Sequence, residues 1–388
     1  MTSVIGNGRR RMGLSPLSRR LSVVAQAVGE EWTLLAENIP MWPELPLPSV
    51  NLVCDDGHYD YAPSQGVDAL RVALRDRAAA QGADIGIESV LVTNGAFDGL
   101  GLVARQLSGS GVRRAICGGP VLLSFADLLH AVGLEVVVED WGELIAAHGW
   151  ASLGLGPGDL LYVNTPHNPT GACLDDSTAR ALLAARERQG FSVIFDLVCD
   201  SFVFDQAVIG TPLPLIRDWQ GVYAINSFSK NYGAPGLRIG WIIAGQAAIE
   251  QLTIRLEWER ISVGTAAQYH AAALCGHGNA ALVERVRAGR QMILDWAAGN
   301  NIGVGAQQGG VQAWLNLADS GGSDCEDAED FADKLMMKHK IVITTGANYY
   351  PRAAAWFRIP AGVSEAVLRD VLPMLAASWP SRNTARRN

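Results

Sequence analysis

The chain has 388 residues, of which 49% are apolar and 18% charged, so it is long enough for two domains, or for one large domain with a smaller satellite. Its formal net charge of −8 argues against a nucleic-acid-binding surface. No apolar run approaches about 18 residues and no apolar segment follows the first arginines, so we expect neither a membrane span nor a secretory signal.

The number and spacing of the cysteines indicate whether the protein lies in a reducing or an oxidising compartment. There are six of them and none forms a C-x-x-C pair, which argues against a zinc site and against a disulfide framework. Such a scatter suits a reducing environment. We therefore predict a cytoplasmic protein without a bound metal.

The first 48 residues are predicted to form an N-terminal helix followed by an extended arm. The arm is indicated by four closely spaced prolines, Pro40, Pro43, Pro46 and Pro48. We expect residues 1–48 to pack with a small domain that the C-terminal part of the chain forms.

Residues 49–285 are predicted to form a large α/β domain. Short β-branched runs alternate there with amphipathic stretches, as in βαβ units. Because the runs are apolar on both faces, we predict a three-layer αβα arrangement, in which helices cover each side of a mostly parallel sheet. The predicted strands are 90–92, 114–117, 135–138, 160–163, 192–195 and 222–225, and the predicted helices are 66–80, 96–107, 124–132 and 177–189.

The pattern changes after residue 250, where long amphipathic stretches predict consecutive helices. A smaller α+β domain is predicted for residues 286–388. The predicted helices are 251–260, 266–275, 280–298 and 363–378, and the predicted strands are 310–315 and 341–344.

A strand that turns into a helix through Gly95 is the first candidate site. Gly95 and Ala96 join the run 90–92 to the predicted helix 96–107. Backbone N–H groups at a helix start point towards anions such as phosphate. We therefore expect the amides of Gly95 and Ala96 to bind an anionic group.

A second candidate is the loop 164–171, with the pattern N-x-x-x-N-P-T-G, which follows the predicted strand 160–163. Open α/β sheets place ligands at the carboxyl ends of their strands. The side chain of Asn168 is positioned in this pattern to contact a ligand oxygen. A plain turn rich in Asn and Pro explains the segment equally well.

Asp196 ends the apolar run 192–195. A carboxylate at such a buried place is costly unless a cation pairs with it. A protonated ring nitrogen of a ligand would be such a cation. A helix N-cap or a structural salt bridge is the alternative.

Lys230 lies in a run with Ser227, Ser229 and Arg238. A lysine that forms a Schiff base must be deprotonated, so it needs burial and neighbouring positive charge. The two hydroxyls and the arginine suit a phosphate. A phosphorylated aldehyde, pyridoxal 5′-phosphate (PLP), satisfies both requirements, and its ring is an electron sink for carbanions. A lysine beside serines is, on its own, usually a solvated surface residue.

These segments, in this order, resemble fold type I PLP enzymes of the aminotransferase class I/II family, over residues 14–375. The resemblance implies an aspartate aminotransferase-like fold. It implies that Lys230 holds PLP as an imine and moves protons at the substrate Cα. Asp196 would pair with the ring nitrogen, and Asn168 would contact the phenolate oxygen of the ring. The phosphate would be bound by Gly95, Ala96, Ser227, Ser229 and Arg238.

Two further residues match the pattern of the family. Tyr61 matches a tyrosine that reaches the phosphate of the partner subunit, which implies a homodimer with shared active sites. Arg358 matches the arginine that binds the α-carboxylate of the amino-acid substrate, where Asn168 also contributes. Without the resemblance, Arg358 is equally well explained as a surface residue at a strand edge.

Two positions depart from the pattern. Cys199 stands where the family usually carries a tyrosine that bonds the ring's phenolate oxygen, and it is our candidate for that contact. Leu122 stands where an aromatic side chain normally stacks on the ring. Drift with local compensation, for instance by Phe125, and altered control over the reaction explain these departures equally well.

We therefore predict a PLP-dependent aminotransferase that acts on a small-molecule α-amino-acid substrate. The departures, and a similarity to the capreomycidine-synthase-like branch, make elimination, replacement or cyclisation in natural-product metabolism the alternative. A cofactor-free binding protein on the same fold is disfavoured, because Lys230, Asp196, Asn168 and Arg238 are all present.

Overall fold

The computed structural model describes residues 3–4, 15–27, 29–45, 60–146, 148–317 and 327–379. In chain order its strands are β1 (Ser3–Val4), β2 (Thr33–Leu35), β3 (Val90–Thr93), β4 (Arg114–Gly119), β5 (Val121–Leu122), β6 (Glu135–Asp140), β7 (Asp159–Asn164), β8 (Ser192–Asp196), β9 (Val222–Ser227), β10 (Gly240–Ala244), β11 (Gly303–Val304), β12 (Gln312–Asn316), β13 (Ile341–Gly346), β14 (Tyr349–Tyr350) and β15 (Ala353–Pro360). Its α-helices are α1 (Pro16–Gln26), α2 (Asp68–Ala80), α3 (Ala96–Gly109), α4 (Leu123–Ala131), α5 (Asp176–Gln189), α6 (Phe228–Asn231), α7 (Gln246–Arg260), α8 (Thr265–His277), α9 (Ala280–Gly299), α10 (Ala328–His339) and α11 (Glu365–Ser378).

The larger sheet has the strand order β1-β6-β4-β7-β8-β9-β10-β3. Strands β6, β4, β7, β8 and β9 are parallel to one another. Strand β10 is antiparallel to both of its neighbours, and β1 is antiparallel to β6. The carboxyl ends of the parallel strands therefore meet at one edge, where ligands bind in open sheets of this kind.

Side chains of the larger sheet alternate between two apolar cores, as the period of a strand requires. On β8, for example, Val193 and Phe195 belong to one core and Ile194 to the other. Helices α2, α5 and α8 cover the first face, and α3, α4 and α7 cover the second. The predicted three-layer αβα fold with a mostly parallel sheet is confirmed.

The smaller sheet has the strand order β11-β12-β15-β13-β2. Helices α9, α10 and α11 pack on it through a separate apolar core. Strand β2 comes from the N-terminal segment and pairs in parallel with β13, so the two ends of the chain share one sheet. Helix α9 runs through position 285, where we predicted a boundary, and the domain limits stay predictions. Pro46 and Pro48 lie outside the described residues.

Every helix and strand predicted from periodicity is confirmed. Helix α7 begins at Gln246 and not at residue 251. The elements that were not predicted include β2, β10, β15 and α10. No helix in the described part of the chain combines the length and the apolarity that crossing a bilayer requires.

Candidate active site

A cavity of about 280 Å³ lies where the carboxyl ends of β7, β8 and β9 meet the start of α3. Its lining brings together most of the predicted site, although these residues are far apart in the sequence. The predicted site residues in its wall are Ala96, Asn168, Asp196, Ser227, Ser229, Lys230 and Arg238.

Lys230 lies on the short helix α6, directly after β9. Burial, together with the positive charge of Arg358, lowers the pKa of its amine to about 8. The amine makes no hydrogen bond or ion pair with any described residue, so it is available for chemistry in the cavity.

A buried polar network fixes the helix that carries Lys230. Asn231 Nδ2 donates hydrogen bonds to Asp200 Oδ1 (2.7 Å) and to Asn226 Oδ1 (2.8 Å). Asp200 is in turn paired with Arg77, at 2.6 Å between Oδ1 and Nη2. A satisfied buried network of this kind fixes one local conformation, so the backbone at Lys230 is rigidly positioned.

Asp196 ends β8 and is buried at the cavity wall. Burial raises the pKa of its carboxyl to about 6, although two hydrogen bonds favour the charged form. The donors are Tyr162 Oη, at 2.6 Å from Oδ2, and the backbone N–H of Val198, at 3.3 Å from Oδ1. Within the described residues Asp196 has no cationic partner, so the alternative of a structural salt bridge is not observed there.

Tyr162 was missed by the sequence analysis. It lies on β7 between Leu161 and Val163 and is buried. A buried tyrosine hydroxyl requires a hydrogen-bond partner. A tyrosine in the predicted strand that precedes Asp196 could therefore have been recognised as a possible donor to that carboxylate.

The loop that follows β7 is shaped by Asn164. Its Oδ1 accepts a hydrogen bond from the backbone N–H of Asn168 (2.7 Å), and its Nδ2 donates to the carbonyl of Asp196 (3.1 Å). These bonds tie the loop to the end of β8. They bring Asn168 and Asp196 to the same cavity.

Arg358 lies on β15, in the interior of the smaller sheet between β12 and β13, and is buried. The alternative of a surface residue at a strand edge is therefore wrong. Its Nη1 donates to Asn168 Oδ1 (3.1 Å) and to Tyr349 Oη (2.7 Å), and its Nη2 donates to the carbonyl of Ala36 (2.9 Å). Its Nε is buried and has no partner among the described residues, so the guanidinium keeps a donor for a ligand.

Tyr349 was also missed. Its hydroxyl donates to Asn168 Oδ1 (3.0 Å) and accepts from Arg358, so it links the two residues that we expected at the substrate. The tyrosine reaches this place because β14 pairs with β5, which is more than 200 residues away in the chain. No local pattern in the sequence indicates that pairing.

Gly95 and Arg238 form a concave cradle at the start of α3. Gly95 is the N-cap residue of α3 and has a φ of +84°. No side chain accepts a hydrogen bond from the first N–H groups of the helix, so these groups can bind a ligand. A Cβ at Gly95 would lie 2.7 Å from Arg238 Nη2, so the cradle depends on the absence of a side chain. Its donors suit an anion.

Tyr61 and Cys199 lie outside this cavity lining. Tyr61 is 81% exposed. Cys199 is buried in the core of the smaller sheet, where burial raises the pKa of its thiol to about 12 and keeps it neutral. Leu122, the other departure from the family pattern, does line the cavity, and Phe125 lies beside it with its ring 4.3 Å from that of Tyr162.

Comparison with known proteins supports an aminotransferase. The family model described as aminotransferase class I and II matches residues 55–375. The 3-methylarginine biosynthesis aminotransferase ArgM of Streptomyces arginensis is 53% identical over 94% of this chain and 97% of its own length. The L-aspartate:5-guanidino-3-methyl-2-oxopentanoate transaminase of Pseudomonas syringae pv. syringae is 32% identical over 93% of each chain.

The similarity to capreomycidine synthase is shorter. The protein of that name from Streptomyces vinaceus is 28% identical, over 48% of this chain and 47% of its own length. The two relatives described above match nearly the whole chain and carry aminotransferase or transaminase names, so the prediction of an aminotransferase is confirmed.

The fold is shared with solved structures. The aspartate aminotransferase of Thermotoga maritima superposes with a TM-score of 0.79 at 19% identity, over 94% of this chain and 97% of that structure. The family match covers most of the chain and agrees with this fold. The chain therefore belongs to the aminotransferase class I and II family.

Proposed function

We propose that this chain is a PLP-dependent transaminase that moves an amino group between a guanidino-bearing α-amino acid and a 2-oxo acid. One observation carries the proposal. The unpaired amine of Lys230 and the buried carboxylate of Asp196 line a single cavity, whose Asn168 is bonded to the buried guanidinium of Arg358. The substrate class is supported by the names of the two long relatives, which concern 3-methylarginine and a guanidino-oxopentanoate.

The residues around the cavity fit PLP. A protonated ring nitrogen would supply the cation that Asp196 lacks among the described residues. The N-terminus of α3, the hydroxyls of Ser227 and Ser229, and Arg238 would hold the phosphate. When bound, PLP supplies an electron sink for the electron pair left at the substrate Cα.

The side chains of this chain have distinct parts in the reaction. Lys230 would hold the aldehyde carbon of PLP covalently; once released, its amine takes the proton from the substrate Cα and later returns it. A pKa lowered to about 8 makes the neutral amine, which a general base requires, far more accessible near physiological pH than in an exposed lysine. Arg358 binds the α-carboxylate, and its bonds to Ala36 and Tyr349 fix the orientation of the guanidinium fork.

A homodimer and a cytoplasmic location belong to the same proposal. Trp258 on α7 is 85% exposed, and Ile254 lies one turn before it, also exposed. A hydrogen bond from Ser64 Oγ to Glu257 Oε2 (3.0 Å) holds the segment of Tyr61 beside this helix. Such an apolar surface around Tyr61 supports an interface with a second copy, across which Tyr61 reaches the partner's phosphate. The unpaired buried thiols, such as Cys117, support a reducing compartment.

The proposal is tested by incubating the PLP-loaded protein with arginine, 3-methylarginine and neutral amino acids, each with and without a 2-oxo acid such as oxaloacetate or pyruvate. Mass spectrometry should show stoichiometric amino transfer, fastest with a guanidino substrate. Lys230→Ala should lower turnover by at least about 10²–10⁴-fold, because the base is lost. The matched control is Lys338→Ala, on the exposed face of α10.

Two results would contradict the proposal. Loss of water or ammonia from the amino acid without dependence on a 2-oxo acid would indicate elimination or cyclisation. Unchanged turnover in Lys230→Ala would show that the base lies elsewhere.

A further inference from the structure

We propose that Glu37 selects the substrate, with its carboxylate binding the substrate's guanidinium in a cavity next to that of Lys230. The inference rests on the proposed function and deepens it, because it assigns the distal group of the substrate to a residue.

The cavity has a volume of about 470 Å³ and is lined mainly by the N-terminal segment between residues 34 and 43. Pro235 lines both this cavity and the cavity of Lys230, so the two are neighbours. Among the described lining residues Glu37 is the only ionisable one; the others are apolar side chains and a glycine. A single carboxylate in an otherwise apolar cavity favours a ligand with one positive charge.

Glu37 is an unpaired acid. It makes no hydrogen bond or ion pair with any described residue, whereas Glu30 and Glu44 of the same segment pair with Lys340 and Arg285. Its negative charge is close enough to act on the amine of Lys230, whose pKa it tends to raise. The carboxylate is therefore near the reacting amine and is free to bind a cation.

The backbone next to Glu37 is tied to the carboxylate-binding residue. The carbonyl of Ala36 accepts a hydrogen bond from Arg358 Nη2 (2.9 Å). A guanidino amino acid carries a carboxylate at one end and a cation at the other. Arg358 and Glu37 offer the two opposite charges that such a substrate needs, on adjoining parts of the site.

Trp42 adds an aromatic face to the same cavity. Its Nε1 donates a hydrogen bond to the carbonyl of Tyr232 (2.8 Å), which fixes the orientation of the indole. A guanidinium is planar and weakly hydrated, so it binds well between a carboxylate and an aromatic ring, and an ammonium ion matches this pairing less well. The two side chains together favour a guanidinium over a simple amine.

The test uses ligands that bind without reacting, because they lack the α-amino group. We would measure Kd by isothermal titration calorimetry on the PLP-loaded protein for 5-guanidinopentanoate and for its neutral counterpart 5-ureidopentanoate. The wild-type protein should prefer the guanidino ligand. Glu37→Gln, which keeps the shape and removes the charge, should reduce that preference by at least about tenfold, as expected for loss of a charge-assisted pair.

The matched control is Glu31→Gln, in the same segment and outside the cavity lining, which should keep the wild-type preference. If the wild-type protein prefers the guanidino ligand and Glu37→Gln prefers it equally, the inference is overturned while the proposed function stands. If the wild-type protein does not distinguish the two ligands, the guanidino substrate itself is wrong, and the inference is overturned with it.

Discussion

Asp196 is a buried carboxyl whose protonation is linked to the stability of the fold. Burial raises its pKa from an ordinary value of 3.8 to about 6 in the folded chain, despite the hydrogen bond from Tyr162. A group whose folded pKa is raised contributes its full stability below the unfolded pKa, and that contribution is lost as the pH rises through the folded pKa. In the cofactor-free chain, the charged form at neutral pH is therefore destabilising.

We expect Asp196→Asn to stabilise the cofactor-free protein at pH 7.5 by on the order of 1–3 kcal/mol, because one unit of pKa is worth about 1.4 kcal/mol. The gain should vanish below about pH 3, where the carboxyl is protonated in both states. Urea unfolding at the two pH values measures the difference. The same variant should have much lower transaminase activity, because its amide carries no charge for the ring nitrogen.

The control for this variant is Asp370→Asn on α11, an exposed carboxyl. It should change the free energy of unfolding little at either pH. Equal stability of Asp196→Asn and the wild-type protein at pH 7.5 would show that folding does not raise the pKa of this carboxyl.

The placement of site residues that directly follow a predicted strand could be predicted from the sequence. Lys230, Asp196 and Asn168 each follow an apolar run, and the carboxyl ends of parallel strands meet at one edge. Tyr162 and Tyr349 could not be predicted in the same way. Their roles depend on which strands are neighbours and on the pairing of β14 with β5, which no short segment encodes.

The start of α3 is sensitive to substitution at Gly95. We expect Gly95→Ala to weaken binding of PLP by about 10–100-fold, which corresponds to a strain of about 1–3 kcal/mol. A Cβ there would meet Arg238 Nη2 at 2.7 Å and would oppose a φ of +84°. Fluorescence titration of the cofactor-free protein measures the Kd.

The control is Gly111→Ala, which also has a positive φ (+107°) but whose Cβ would meet nothing within 4 Å. This variant should lose some stability to backbone strain and keep the wild-type Kd for PLP. If both variants bind PLP as the wild-type protein does, the anion is not held by the start of α3.

Helices and strands could be predicted from the sequence where the spacing of the apolar residues followed the period of a helix or of a strand. Strand β15 was not, because it begins with Ala353, Ala354 and Ala355, which have little strand propensity, and its central position comes from pairing with β12 and β13. Strand β2 has three residues, and its partner lies more than 300 residues away. Both owe their structure to long-range contacts.

The exposed apolar surface of α7 predicts the oligomeric state. We expect the wild-type protein to sediment as a dimer and Trp258→Glu to shift it towards the monomer, because a charge replaces a side chain that is 85% exposed in a single copy. Transaminase activity should fall as the fraction of dimer falls, since Tyr61 is proposed to complete the partner's site. Analytical ultracentrifugation at several concentrations measures the shift.

Met337→Glu on α10 is the matched control, because Met337 is also an apolar residue that is 79% exposed. It should leave the sedimentation coefficient unchanged. A monomeric wild-type protein with full activity would contradict both the dimer and the role of Tyr61.

The pairing of β2 with β13 has a consequence for the order in which the protein is made. The first described strand after α1 emerges from the ribosome about 300 residues before its partner, Ile341–Gly346, is translated. The hydrogen bond from Arg358 to Ala36 forms later still. The nascent chain must therefore keep β2 unpaired until β13 has been made, and the contact of Ala36 with Arg358 is completed only after β15 has left the exit tunnel.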